Sequence, residues 1–235
     1  MNGHLVPGIS NFRISFILQI AKMAERKREN KRNLPPWMLQ ILDWDVAMTK
    51  KAFDAFDQKF GYEKYRKELK YLEISCHGLI WIIACVAFLY FGFSPELWMN
   101  LLTLQILDII LIAVIKAFVR RKRPVYNQND MFFTHGPDQF SFPSGHASRG
   151  FVVAFFFLGL YRLNLILNIP IMIWAISTAV SRVCLGRHHI LDVIGGFGLA
   201  VIEYGLMATL VYMDQDKAKT WAALFANSED PWSSG

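Results

Sequence analysis

The apolar positions of this chain gather in long, nearly unbroken runs, and five of them approach the roughly 20 residues that an α-helix needs to cross a bilayer. The first is "LEISCHGLIWIIACVAFLYFGF" (72–93) and the second "LWMNLLTLQILDIILIAVIKAF" (97–118), with a turn of three residues between them. The third extends from His146 to Tyr161, the fourth from Leu165 to Val180 and the fifth from Ile190 to Met213, with "RLNL" linking the third and fourth. Backbone in lipid must satisfy its own hydrogen bonds, so each run is expected to be a helix and the first two a helical hairpin. Upstream, residues 35–72 place Trp, Phe and Leu at mixed three- and four-residue spacing between charges, the pattern of an interfacial amphipathic helix. The alternative, a sixth span, is opposed by Asp43, Asp45, Lys50 and Lys51. The expected architecture is an all-α integral membrane helical bundle with about five transmembrane helices, six possible, and an N-terminal amphipathic leader. It divides into a basic and amphipathic leader (1–70), a membrane-embedded domain (71–213) and a polar C-terminal tail (214–235).

Composition agrees with this pattern. Hydrophobic residues make up 54% of the chain, above the roughly 45–50% of a soluble domain. The net charge of +6 concentrates in "KMAERKRENKR" (22–32) and "VRRKRP" (119–124), and neither run has the interleaved aromatics of a nucleic-acid stacking platform. Nucleic acid is therefore not an expected partner. Three cysteines, Cys76, Cys85 and Cys184, make no disulfide framework and read as packed small residues. The short patch "FRISFILQI" is followed by a basic cluster, so it does not read as a cleavable signal.

If both hairpins turn on one side of the membrane, the opposite side receives the start of the first run, the loop from Val119 to Gly145 and the loop from Ser181 to His189. Nearly all the unusual polar chemistry collects there. Lys116 and Arg123 stand seven residues apart, two helical turns, before Pro124 stops the helix. They read either as snorkelling cations or as a pair aimed at a phosphate. His188 and Asp192 are spaced i, i+4, close enough for a carboxylate to hold an imidazole nitrogen. In "SFPSGHASRG" (141–150), Pro143 ends a loop, Ser144 is suited to cap a helix and Gly145 allows close backbone approach. The N–H groups opening that helix suit an anion, and His146 stands beside them.

The combination K-x6-RP (Lys116 to Pro124), PSGH (Pro143 to His146) and SR-x5-H-x3-D (Ser181 to Asp192) resembles the three-part signature of the type 2 phosphatidic acid phosphatase superfamily, the lipid phosphate phosphatases. The resemblance covers about residues 70 to 213. Within it, "RRKRPVYNQNDMF", "FSFPSGHASR" and "SRVCLGRHHILDV" look like the branch that acts on polyisoprenoid diphosphates such as farnesyl, geranylgeranyl or presqualene diphosphate. The resemblance implies that His188 is the nucleophile forming a phosphohistidine, that Asp192 raises its basicity, and that His146 protonates the leaving oxygen. Lys116, Arg123, Arg182, Ser144 and Gly145 would hold the phosphoryl oxygens. It also implies hydrolysis without metal or cofactor, a lipid phosphate or diphosphate drawn from the bilayer, and residence in the endoplasmic reticulum or nuclear envelope. A broader activity on phosphatidate is one alternative. Arg149, one turn after His146, reads either as a contact to phosphate or, in preference, as a snorkelling side chain, Arg121 and Lys122 as attractors of an anionic headgroup, and His189 as structural. Asp108 and Glu203 are expected to pair within the bundle.

Rival chemistries fit less well. A metal site from His146, His188, His189 and Asp192 lacks a compact ligand motif. A cysteine phosphatase built on Cys184 needs Arg six places on, where the chain has Ile190. The haloperoxidase members of the superfamily are soluble, and the glucose-6-phosphatases are longer with more spans. A catalytically weak membrane scaffold is the non-enzyme alternative, and the intact motif set argues against it.

Overall fold

The computed structural model describes residues 34–128, 130 and 139–225. The basic run at 22–32 and residues 226–235 of the expected tail lie outside the described residues. All regular structure among the described residues is helical: α1 (Pro36–Phe60), α2 (Tyr62–Ser75), α3 (Gly78–Tyr90), α4 (Pro95–Val119), α5 (Gly145–Phe155), α6 (Leu165–Cys184), α7 (Ile190–Leu206) and α8 (Gln215–Ala222). A π-helical turn extends α5 over Phe156–Leu160, and another extends α7 over Met207–Val211. Met1–Trp44 form one unit, described only from residue 34, and Asp45–Gly235 form the other.

Helices α4, α6 and the extended α7 are long and apolar enough to cross a membrane, and Gly145–Leu160 is a shorter apolar helix. The expected first span is not one straight helix. It is the bent pair α2 and α3, which meet at Cys76–His77 with a bend of 48° and make a fourth span when taken together. A helix end leaves carbonyls without intrahelical donors. Here the Glu73 carbonyl accepts from His146 Nε2 at 3.1 Å and the Cys76 carbonyl accepts from Arg149 Nη1 at 3.1 Å. The break in the apolar run thus creates acceptors that two side chains of α5 fill.

Helix α4 opens on Pro95, whose fixed φ suits a first turn. It ends where Arg120 adopts a φ of 50°, a left-handed conformation that carries the chain out of a helix. The expected helix through Arg123 therefore stops early, and Arg123 lies in the irregular segment that follows. Helix α5 is the hub, packing on α4, α6 and α7, while α3 packs on α4 and α2 on α6. Gly196 makes the close backbone approach of α7 to the start of α5 possible: a Cβ there would stand 2.6 Å from the Ser144 carbonyl oxygen. The segment read as a polar tail begins with α8, which packs on α4 and places Ala218 and Ala222 in the core. Asn100 fastens the approach to α8 by accepting from Met213 N and donating to its carbonyl, both at 2.8 Å. All three cysteines are buried and free.

Arg149 does not snorkel. It is buried, and its Nη2 pairs with Asp108 of α4. With Asp108 and the Cys76 carbonyl both in reach, the guanidinium finds partners inside the bundle and has no need of headgroups. Glu203 accepts from Ser148 Oγ at 3.2 Å. Breaking a buried ion pair from one side strands the other charge, so Arg149→Met is expected to destabilise the protein by about 3–5 kcal/mol. The double variant Arg149→Met, Asp108→Leu should recover most of that loss, and thermal unfolding in detergent would read both.

Candidate active site

Three separate segments converge at the ends of α2, α5 and α6. The loop after α6 turns at Gly186, whose φ of 66° is left-handed and whose missing Cβ leaves room for Tyr126, 2.6 Å from where that atom would lie. This turn delivers Arg187 and His188. The His188 ring is 2% exposed and tightly held: Nδ1 lies 2.7 Å from the Ser141 carbonyl, and Nε2 lies 3.4 Å from Arg123 Nη1. A carbonyl can only accept and a guanidinium can only donate. The two contacts therefore assign the proton to Nδ1 and the lone pair to Nε2. Burial pushes the His188 imidazole down and neighbouring Arg123 adds to this, to about 3, although Asp192 opposes both.

Asp192 is not the hydrogen-bond partner of His188 that the i, i+4 spacing suggested. Its Oδ2 stands 3.8 Å from His188 Nδ1, and the Ser141 carbonyl takes the nearer position. Asp192 instead accepts from His189 N at 2.7 Å, lies 3.2 Å from His189 Nδ1 and pairs with Arg121 at 2.7 Å. Arg121 continues to Asp45 of α1 at 2.5 Å. Asp45 and Thr49, one turn apart, accept the N–H groups of Leu191 and Ile190 at 3.0 Å each. The leader helix thus caps α7. Arg121, read as a headgroup attractor, is a partly buried bridge between two buried carboxylates.

Ser144 caps α5 by accepting from Ala147 N at 3.5 Å, and its own N–H donates to the Asp192 carbonyl at 2.9 Å. Gly145 and His146 follow in the first turn. Lys116 is 2% exposed near the end of α4, and Arg182 is 1% exposed at the end of α6. Arg182 donates to Glu73 at 3.1 Å and to Ser181 Oγ at 2.8 Å. Arg187 donates to the same Glu73 oxygen at 3.3 Å and to Asn127 at 2.9 Å. The contacts just described tie His188 to Arg123, Ser141 and Asp192, and His146 to Arg182 through Glu73.

Glu73, Ser141 and Arg187 were missed by the sequence reading. Glu73 had one legible signal, as a carboxylate at the start of an apolar run. Arg187 was legible as the neighbour of His188. Ser141 acts through its backbone and left no side-chain signal.

The family model described as "PAP2 superfamily" matches residues 97–217, more than half of the chain, and takes in Lys116, His146, His188 and Asp192. The chain belongs to the PAP2 superfamily. Among curated proteins of this kind it is 36% identical over 121 residues to a probable lipid phosphate phosphatase beta from Arabidopsis thaliana, covering 41% of this chain and 57% of that protein. It is 32% identical over 139 residues to phosphatidylglycerophosphatase B from Bacillus subtilis, covering 55% and 64%. A third relative, a lipid A 4'-phosphatase from Bacteroides thetaiotaomicron, is 32% identical over 108 residues, covering 41% and 48%. The chain thus spans about half to just under two thirds of the length of these relatives. Among solved structures, the transmembrane PAP2-type phosphatidylglycerolphosphate phosphatase of Bacillus subtilis superposes with a TM-score of 0.54 at 25% identity, covering 72% of this chain and 85% of that one. The apolar helices and the PAP2 membrane relatives together make this an integral membrane protein.

Since the folded protein keeps His188 neutral down to about pH 3 while an unfolded imidazole protonates near pH 6.5, the unfolded state binds the extra proton in between. Stability is expected to fall as pH drops from about 6.5 toward about 3. Thermal unfolding of wild type and His188→Asn across that range should show a shallower acid slope in the variant.

Proposed function

We propose that this chain is a lipid phosphatase that hydrolyses membrane-anchored phosphate or diphosphate esters through a phosphohistidine at His188. The supporting observation is the state of the His188 ring: the Ser141 carbonyl holds Nδ1–H, and the Nε2 lone pair lies beside Arg123. In the first step Nε2 attacks phosphorus, the bond from phosphorus to the leaving oxygen breaks, and that oxygen takes a proton from His146. Water then attacks phosphorus and gives its proton to His146 as the phosphorus–nitrogen bond breaks, so inorganic phosphate departs, His188 returns to its neutral form and His146 regains the proton it gave up.

Phosphoryl transfer asks mainly for positioning and charge neutralisation. Lys116, Arg123 and Arg182 supply positive charge, and Ser144 and the Gly145 N–H at the start of α5 supply donors. This set serves the purpose without a divalent metal or cofactor. Asp192, at 3.8 Å, stabilises the positive charge that develops on the ring, while Ser141 fixes its tautomer. His146 commits Nε2–H to the Glu73 carbonyl, so Nδ1 is the nitrogen that serves the leaving group, and it carries a proton to give when the ring is in its imidazolium form.

The branch motifs "RRKRPVYNQNDMF" and "SRVCLGRHHILDV" support a polyisoprenoid diphosphate as the lipid and the endoplasmic reticulum or nuclear envelope as the location. The relatives' names favour a second reading, phosphate monoesters of glycerolipids or lipid A.

Phosphate release from farnesyl diphosphate and from phosphatidate, measured on detergent-purified protein in excess EDTA, tests the proposal. Activity should persist in EDTA, and His188→Ala should lower kcat by about 10⁴-fold or more and abolish the acid-labile phosphoenzyme. Near-normal turnover by His188→Ala would remove the nucleophile assignment, and silence of the wild type on both lipids would favour a membrane scaffold. His146→Ala should slow esters with poor leaving groups most, by about 10²–10⁴-fold.

A further inference from the structure

Beside the cations assigned to the reacting phosphate stands a second group. Arg66, Lys70 and Glu73 recur on α2 at i, i+4 and i+7 and so share one helix face. Arg66 and Lys70 converge on one oxygen of Asp130, Lys70 at 2.5 Å, and Arg187 reaches the other oxygen at 2.5 Å. Burial pushes the Asp130 carboxyl up, but hydrogen bonds from Lys70 and Arg187 outweigh it and hold the group well below the usual carboxylate range. Asp130 is therefore an anion ringed by three cations, 27% exposed at the rim of the site.

Among the described residues the local charge does not balance. There Arg66, Lys70, Arg182 and Arg187 pair at close range with the carboxylates of Glu73 and Asp130, and Arg182 and Arg187 are each 1% exposed. Glu63 reaches Arg66 at 3.6 Å, but at 73% exposure it is a solvent-side contact of little weight. Buried positive charge in excess is costly until an anion joins it. The excess lies next to the chemistry, since Arg187 precedes His188 and Arg123 Nη1 touches both the Arg187 carbonyl at 3.0 Å and His188 Nε2 at 3.4 Å.

We propose that Arg66, Lys70 and Arg187 form a second anion subsite, where the Asp130 carboxylate stands in for the non-reacting phosphate of a diphosphate ester and gives way to it on binding. A monoester occupies the His188 pocket and leaves Asp130 in place. A diphosphate fills both, so the subsite selects diphosphates. This deepens the phosphatase reading and depends on it only for the identity of the reacting phosphate.

The test titrates full-length protein in detergent with inorganic orthophosphate and with pyrophosphate, following thermal stabilisation. Wild type should bind pyrophosphate about tenfold or more tighter than orthophosphate, and Arg66→Ala with Lys70→Ala should bring the ratio near one. Asp130→Asn, which removes the internal competitor, should raise the ratio and serves alone if the double variant does not fold. Equal affinity of wild type for the two anions, an unchanged ratio in the double variant or a lowered ratio in Asp130→Asn would each overturn the subsite. Turnover of farnesyl monophosphate and diphosphate separates the two ideas. A pyrophosphate preference that needs Arg66 and Lys70, with neither lipid hydrolysed, would keep the subsite and sink the phosphatase reading; hydrolysis without that preference would do the reverse.

Discussion

A charge inside a bilayer-embedded bundle has to meet its counter-charge there, because neither lipid nor packed side chains can replace the water it has lost. This requirement organises the protein around a few buried carboxylates and the cations that meet them. Asp108 meets Arg149 between α4 and α5. Glu73 meets Arg182 and Arg187 between α2 and the end of α6. Asp45 and Asp192 share Arg121 between α1, the segment after α4 and α7. Each pair joins elements far apart in sequence, so the apolar helices supply the bulk of the fold while the ion pairs set which ends come together.

Backbone carbonyls do the finer positioning. The Glu73 carbonyl, available because the apolar run breaks at Cys76–His77, takes His146; the Ser141 carbonyl takes His188. Ser141 is itself pinned, with its N–H on the Arg121 carbonyl at 2.8 Å and its hydroxyl 3.0 Å from the Lys122 carbonyl. The basic run after α4 therefore contributes through main chain as much as through charge. A main-chain acceptor also settles ring orientation without adding a competing negative charge where an anion must bind.

The helical runs and the three motif segments were legible because each is local: apolar run length marks the helices, and fixed spacing marks the Lys116, His146 and His188 segments. What failed to show was decided over distance. The i, i+4 spacing of His188 and Asp192 correctly brought them near, but Ser141, 47 residues away, lies closer to the ring. Arg149 looked like a snorkelling side chain because nothing local announces Asp108, 41 residues upstream. The helix was extended to Pro124 because no residue at 120 signals a left-handed turn; an arginine there is an unusual choice for φ of 50°. Asp45 and Thr49 counted only as polar interruptions of an amphipathic pattern until the fold placed them against the start of α7.

That capping has a further consequence. Two helices begin at this end of the bundle, and their ends are electrically unlike. The α7 terminus is covered by the Thr49 hydroxyl and by the carboxylates of Asp45 and Asp192, which answer its partial positive charge. The α5 terminus has the neutral Ser144 hydroxyl across it. The two helix starts therefore differ in what already answers them: carboxylates that Arg121 also holds at α7, a hydroxyl at α5. An arriving anion meets at α5 a helix dipole capped by a neutral group and at α7 one already engaged by carboxylates, so the two ends are unequal landing places.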